Sequence, residues 1–189
     1  MPERTIEFGK YGASGVKGSD LVGRRLDDLA TGIATPVTQK RGLDARLRYL
    51  TKSPRALAAA RAAGLTVTDR TLRAWTTGTR KPNARSLEQI EAAYRTVRRH
   101  NVAAHLLRRL NARGGTRVEL HPINQAAVGR RFQRVLEYRS LNVRRWDRIV
   151  EAWRDQDDSA LADAWENEIV DLGSQWGQYE YATNVGFSA

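Results

Sequence analysis

Apolar residues recur along this chain mostly at helical spacing. Leu43, Leu47 and Leu50 lie at i, i+4 and i+7, which predicts an amphipathic helix over Asp44–Leu50. Ahead of it, Leu21, Val22, Leu26 and Leu29 predict a short helix over about Asp20–Ala30, broken by Gly32 and Pro36. Ser53-Pro54 reads as a helix start, because serine can cap and proline suits a first turn whose N–H has no partner anyway. Alanines 56, 58, 59, 60, 62 and 63 make that helix slender, and Gly64 ends it. Leu65 follows as a buried turn residue. Thr68 or Asp69 then caps a helix to about Trp75 in which Leu72 and Trp75 face inward. Ser86 is the expected cap of a long helix from Leu87 to about Leu110, with Leu87, Ile90 and Tyr94 as its first apolar stripe.

Beyond residue 113 the pattern changes once. Thr116–Ile123 alternates, with Val118 and Leu120, and predicts one short strand or hairpin edge limited by Pro122. Helical spacing then returns. Val128, Phe132, Val135 and Leu136 predict a helix over Gln125–Tyr138. Asn142 is the expected cap of another, with Trp146, Ile149, Val150 and Trp153. Asp158-Ser159 is the expected cap of a third, with Leu161, Trp165, Ile169 and Leu172, ended by Gly173. At this spacing the tryptophans read as core or dimer contacts before base-stacking groups. Trp176, Tyr179, Tyr181 and Phe187 form an aromatic tail that packs on the body or on a partner. The fold class expected is mainly α: a central helix–turn–helix, a helical C-terminal subdomain and one short strand or hairpin. The expected divisions are a flexible, glycine-rich arm and short helix (1–40), a helix–turn–helix domain (41–113) and a mostly helical, C-terminally acidic subdomain for packing or dimerisation (114–189).

Charge adds the partner to this picture. The 189 residues carry 32 basic and 21 acidic side chains, a net charge of +11. Only Lys10, Lys17, Lys40, Lys52 and Lys81 are lysine, and the arginine excess favours forked contacts to phosphate and guanine. Residues 41–113 hold 17 basic and four acidic groups, whereas 149–189 hold one and nine. A block of +13 is an electrostatic footprint for nucleic acid. The acidic tail either solvates a helical subdomain or leans on the basic block and competes with phosphate.

Placed in that block, the Ala-rich helix, the glycine turn and the short helix at 69–75 read as a helix–turn–helix, with a turn about two residues longer than the compact form. Arg70, Thr71, Arg73 and Ala74 are the expected base readers, Ala74 through a thymine methyl. Thr77 closes the helix beside them. Arg80, Lys81, Arg85, Arg95, Arg98 and Arg99 are expected on phosphates. Arg130, Arg131, Arg134, Arg139, Arg144, Arg145 and Arg148 would extend that surface.

Residues about 44–120, roughly 40% of the chain, resemble the terminal-protein family of Streptomyces linear chromosomes and plasmids. The features that carry the likeness are Leu47-Arg48-Tyr49-Leu50-Thr51-Lys52, Gly64-Leu65-Thr66, Arg70-Thr71-Leu72, Arg80-Lys81-Pro82 with Leu87, and Arg113-Gly114-Gly115 before a strand. The resemblance implies telomere DNA binding and priming of end replication by covalent attachment to a 5′ end through a hydroxyl residue. A DNA polymerase or a telomere-associated protein would be its partner. Which hydroxyl serves is open, with Thr116, Tyr138, Tyr179 and Tyr181 as candidates. The turn Trp75-x-x-Gly78-x-x-x-Pro82 also occurs in actinobacterial regulators, so a helix–turn–helix transcriptional regulator or a plasmid or phage repressor, acting as a homodimer, is the alternative. A packaging protein without sequence preference is a third class.

Enzyme signals are sparse, and no enzymatic activity is expected. The three histidines are His100, His105 and His121, and the first two are five apart, which does not put both on one helical face. No glycine-rich loop ends in Lys-Ser/Thr. Asp155, Asp157 and Asp158 lack the later Gly and Glu of a calcium loop. No cofactor and no metal are expected. With no cysteine, no spanning apolar run and no leader, the chain is expected in the cytoplasm, on the nucleoid and away from membranes.

Overall fold

The computed structural model describes residues 9–170, 172 and 179–189. It is mainly helical with one small antiparallel sheet. In chain order the elements are β1 (Val16–Lys17), α1 (Gly18–Ala30), α2 (Lys40–Thr51), α3 (Pro54–Ala62), α4 (Asp69–Thr76), α5 (Ala84–Leu110), β2 (Thr116–Pro122), β3 (Arg139–Val143), α6 (Asp147–Asp155), α7 (Asp158–Ile169) and β4 (Tyr181–Gly186). The chain divides into two compact units. Ala30–Val102 form one, and the residues up to Leu29 together with those from Ala103 onward form the other. This differs from the three consecutive segments expected from composition, because the N-terminal residues belong with the C-terminal ones.

The helical unit, Ala30–Val102, is built on local signals. Ser53 Oγ accepts from the Ala56 N–H and Pro54 occupies the first turn, so α3 starts as its sequence requires. Leu47, Leu50, Ala60, Leu65, Leu72, Trp75, Ile90, Ala93, Tyr94 and Val97 form its buried core. At the end of α3 the Gly64 N–H donates to Arg61 O and the Leu65 N–H to Ala60 O, a Schellman pattern that needs the left-handed φ of +93° found at Gly64. The cap of α5 is Asn83, whose side chain accepts from the Ser86 N–H, rather than Ser86 itself. Both residues suit a cap, and it is Asn83 whose side chain reaches the N–H three residues on, so the helix begins at Ala84.

The other unit holds the sheet, ordered β1-β4-β2-β3 and antiparallel throughout. On β2, Thr116, Val118 and Leu120 are buried while Arg117, Glu119 and His121 face solvent, the alternation of a one-faced sheet. That strand is central, not an edge, with Pro122 at its end beside a register shift. Trp146, Ile149, Val150, Trp153, Leu161 and Trp165 are buried with Val22 and Leu26 of α1, as a core reading of the tryptophans requires. The Trp153 indole donates to Asp27 Oδ1 at 3.0 Å, and the Trp146 and Phe187 rings lie 4.7 Å apart. Between α5 and β2 the chain passes through Arg113, Gly114 and Gly115, all at positive φ. A Cβ on Gly115 would fall 2.3 Å from Val143 O, so the approach of β3 demands glycine there.

Several expectations fail in this unit. The residues 1–8 of the proposed arm lie outside the described residues, but Ser14 exchanges backbone hydrogen bonds with Asn124 and Val16–Lys17 pairs with β4. Gln125–Tyr138 is not a helix. It is a loop with one short 3-10 turn at Arg130–Phe132. Gly129 interrupts the run, and the side chains of Gln125 and Gln133 take up backbone groups that a helix would pair internally. Asn142 lies in β3, and α6 begins only at Asp147. Asp157, not Asp158 or Ser159, caps α7 by accepting from the Ala160 N–H. The segment 114–189 is therefore a mixed sheet-and-helix structure rather than mostly helical. In the aromatic tail Tyr179 and Phe187 are buried, whereas Gly173 and Trp176 lie outside the described residues.

Candidate nucleic-acid interface

The helix–turn–helix lies wholly within the helical unit, as α3, a turn and α4. Thr68 caps α4, its hydroxyl accepting from the Thr71 N–H at 3.2 Å. Leu72 and Trp75 pin the helix, each 4% exposed. At about 100° per residue, Arg70, Arg73, Ala74 and Thr77 fall within an arc of about 100° opposite those pins. The stripe 70, 73, 74, 77 is the i, i+3, i+4, i+7 face that a recognition helix turns toward base edges. Thr71 sits at the flank of this arc. It is half-buried, and its hydroxyl lies 3.0 Å from that of Thr68, so it supports the cap and lies off the outward stripe.

The lengthened turn is held by a contact that periodicity did not show. Arg61 of α3 donates to Val67 O at 3.1 Å and pairs with the Asp69 carboxylate in the first turn of α4. One guanidinium therefore ties both helices across the turn, and Asp69 stands where the helix dipole favours a negative charge. After α4, the hydroxyls of Thr76 and Thr77 donate to Arg73 O and that of Thr79 to Ala74 O. The Arg80 N–H also reaches Ala74 O, and Gly78 takes a φ of +74°. These bonds fix the turn that carries Arg80 and Lys81.

The cations sort into two kinds. The side chains of Arg70, Arg73, Arg80, Lys81 and Arg85 are exposed and have no ion pair or hydrogen bond to the described residues. Arg98, expected on phosphate, is turned inward: Nε donates to Thr31 O and Nη2 to Ala30 O. Arg95 pairs with Glu91 at 3.0 Å, and that carboxylate also binds Arg46 at 2.5 Å. Arg99 is half-buried and has partners of its own. Arg46, missed by sequence reasoning, is 4% exposed and reaches the carbonyls of Ile33, Thr35 and Gly42 as well as Glu91, with its guanidinium over the Tyr94 ring. Its spacing of three from Leu43 and four from Leu50, on the apolar face of α2, was the available signal.

In the sheet unit, Arg130 and Arg131 lie in the 3-10 turn of the loop and Arg134 beyond it, Arg139 in β3, and Arg144 and Arg145 between β3 and α6; of this group only Arg148 is in an α-helix. All are exposed. The hydroxyl candidates separate sharply. Thr116 is buried and donates to Leu110 O at 2.7 Å, and Tyr179 is buried and donates to Glu137 O at 3.0 Å. Tyr181 is half-buried, and burial raises its phenol pKa. Tyr138 is 45% exposed, with the His121 ring 5.1 Å away. Desolvation first, and then the Glu119 carboxylate, hold its phenol above the usual pKa, while Arg117 opposes them. The phenol is therefore neutral near pH 7.

Among the described residues no cluster of three His, Asp or Glu side chains is arranged to hold a metal ion, and no helix is long and apolar enough to cross a membrane. Comparison of the chain with protein-family models, with curated proteins and with solved structures found no match.

Proposed function

We propose that the helical unit binds duplex DNA and reads its sequence, with α4 as the recognition helix. The observation that carries this is the arc of Arg70, Arg73, Ala74 and Thr77 opposite the pins Leu72 and Trp75. Arg80, Lys81 and Arg85 continue the cationic surface, with no acidic side chain among the described residues paired to any of them. A cation bound to a carboxylate or a carbonyl has already found its acceptor, whereas Arg70, Arg73, Arg80, Lys81 and Arg85 have none among the described residues. Bidentate guanidinium contacts to guanine would give sequence preference, and the turn cations would hold the backbone. Binding, rather than turnover, is the activity proposed, with no cofactor.

Selection from a random duplex library tests it directly. One enriched motif is expected, and its preference should relax in Arg73→Ala. Recovery of no motif, with Arg70→Ala and Arg73→Ala binding like the parent protein, would overturn the reading. The resemblance of residues 44–120 supports ends of linear replicons, on the nucleoid, as the place of action, beside a DNA polymerase or a telomere-associated protein. Tyr138 is then the hydroxyl to examine first, being the most exposed of the four candidates. A regulator or repressor acting as a homodimer on internal sites is the other reading. Sequencing genomic DNA retained before and after a denaturing wash separates them: ends that survive denaturation favour the first, and internal sites lost in denaturant favour the second.

A further inference from the structure

The sheet unit carries an exposed aromatic surface. The ring of Phe132 stacks on that of Tyr11 with centroids 4.6 Å apart and planes 26° from parallel, yet the two residues remain 43% and 51% exposed. Val135, close by in the chain, is 92% exposed. The Arg131 guanidinium lies 4.6 Å from the Phe132 centroid, and Lys10 lies over Tyr11 at 5.8 Å. Residues 124–136 contain three arginines and no carboxylate. Arg130, Arg131 and Arg134 have no ion pair to the described residues, while Glu137, just beyond, is engaged by Arg139.

The loop bearing these groups is tied down. The Gln125 side-chain amide both donates to Arg134 O at 2.9 Å and accepts from the Arg134 N–H at 2.8 Å, closing the segment like a rung of sheet. Gln133 Nε2 donates to Val128 O at 2.8 Å, and Val128 is buried beneath. Gly12 sits so close to the Ala127 carbonyl that a Cβ there would fall 2.8 Å from its oxygen, which seats Tyr11 beside the loop. A surface already ordered loses little entropy on binding.

We propose that this surface, the Tyr11–Phe132 pair with Arg131 against it and Arg130 and Arg134 on the same loop, is a second nucleic-acid site and that it takes single-stranded DNA. A base inside a duplex is covered on both faces, so only an unpaired base can lie on the outer face of the aromatic pair, where it would displace the exposed Arg131 guanidinium from Phe132 toward the adjoining phosphate. The arginines then meet the adjoining phosphates. Rings interleaved with cations are the arrangement that binds single strands without sequence preference. The absence of acidic groups from the loop favours a polyanion over an apolar protein partner. The choice of DNA over RNA rests on the duplex reading proposed above; the stacking does not.

The test is anisotropy of a labelled oligothymidylate with the full chain. Phe132→Ala should weaken binding about tenfold or more, and Arg131→Glu should weaken it as well. Phe132→Leu keeps an apolar contact with Tyr11 but removes the ring, so it should lose affinity like the alanine variant while unfolding at the parent temperature. In Phe132→Trp, binding should quench fluorescence beyond the change seen in the parent protein. Arg73→Ala should leave oligothymidylate binding intact, and Phe132→Ala should leave duplex binding intact, so failure of one site is distinguishable from failure of the other. Parent-like oligothymidylate binding by Phe132→Leu and Arg131→Glu would overturn the proposal. So would tighter binding of oligouridylate, or a dimer in sedimentation that Phe132→Ala dissolves without changing oligothymidylate affinity.

Discussion

In the helical unit, neighbours in space are neighbours in sequence: α2, α3 and α4 follow one another through short turns, and α3 and α4 each start on a side-chain cap. In the sheet unit, Val16 pairs with Ala182 and Leu120 with Val185, so strands from both ends of the chain meet in one sheet. The first kind of structure rests on caps and on a few inward-facing groups that close it. The second rests on tight backbone approaches whose partners are far away along the chain. Each kind therefore has its own point of greatest sensitivity.

For the helical unit that point is Arg46. Its guanidinium satisfies Glu91 and three backbone carbonyls while almost wholly buried. Arg46→Ala removes the side-chain donor to the Ile33 and Thr35 carbonyls and leaves Glu91 to Arg95 alone, and should cost about 3–5 kcal/mol. Urea unfolding followed by circular dichroism measures the loss. Hydrogen exchange should place it in Ala30–Val102 and leave β2–β4 protected. Loss of protection across both units alike would mean they unfold as one. For the sheet unit the corresponding change is Gly115→Ala. The new Cβ would meet the Val143 carbonyl at 2.3 Å, on a residue whose φ is already +111°. A cost of about 3 kcal/mol is expected from strain and displacement, with exchange accelerating first along β2 and β3. An unchanged β2–β3 pair would show that the strand moves aside freely.

The same contrast explains how far the sequence could be read. Ser53-Pro54, Gly64 and Thr68 are local instructions, because the atoms they satisfy lie within a few residues. The helices they bound were legible, and so was the stripe that α4 presents except for Thr71, which the structure turns to the cap. Gln125–Tyr138 shows the opposite. Val128, Phe132, Val135 and Leu136 have helical spacing, but only Val128 is fully buried, and the segment follows side-chain hydrogen bonds that spacing does not encode. Asn142 is a good cap by type, yet its place in β3 is set by pairing with Arg117. Among the cations, Arg98 and Arg73 are alike in composition. What separates them is whether a carbonyl lies within reach, which only the tertiary structure reveals.

Arg73→Ala is the next largest expected effect, and it acts on binding rather than on stability. Arg73 is exposed at the centre of the proposed reading face. Its loss should weaken binding to a selected duplex by about 1–3 kcal/mol and flatten discrimination at the base it reads. Unfolding should stay within about 0.5 kcal/mol of the parent protein, as for other surface changes. Competition between matched and mismatched duplexes at fixed salt measures the discrimination. An equal loss on every sequence would make Arg73 a backbone contact.

The smallest effect separates the two kinds of arginine and lysine most sharply. Lys81 lies exposed in the turn after α4, which threonine hydroxyls hold in place. As a phosphate contact it would release one counterion's share, so Lys81→Ala should lower the slope of log affinity against log salt by about 0.9, equally for all duplexes. Arg98→Ala removes a charge as well, but from a side chain bonded to the carbonyls of Ala30 and Thr31. It should leave the salt slope unchanged and instead reduce stability by about 1–3 kcal/mol, through acceptors left unsatisfied. Salt titrations of both variants beside their unfolding curves decide it. A slope that fell with Arg98→Ala and held with Lys81→Ala would reverse the division of cations drawn from the structure, and would move the DNA from the turn after α4 to the middle of α5.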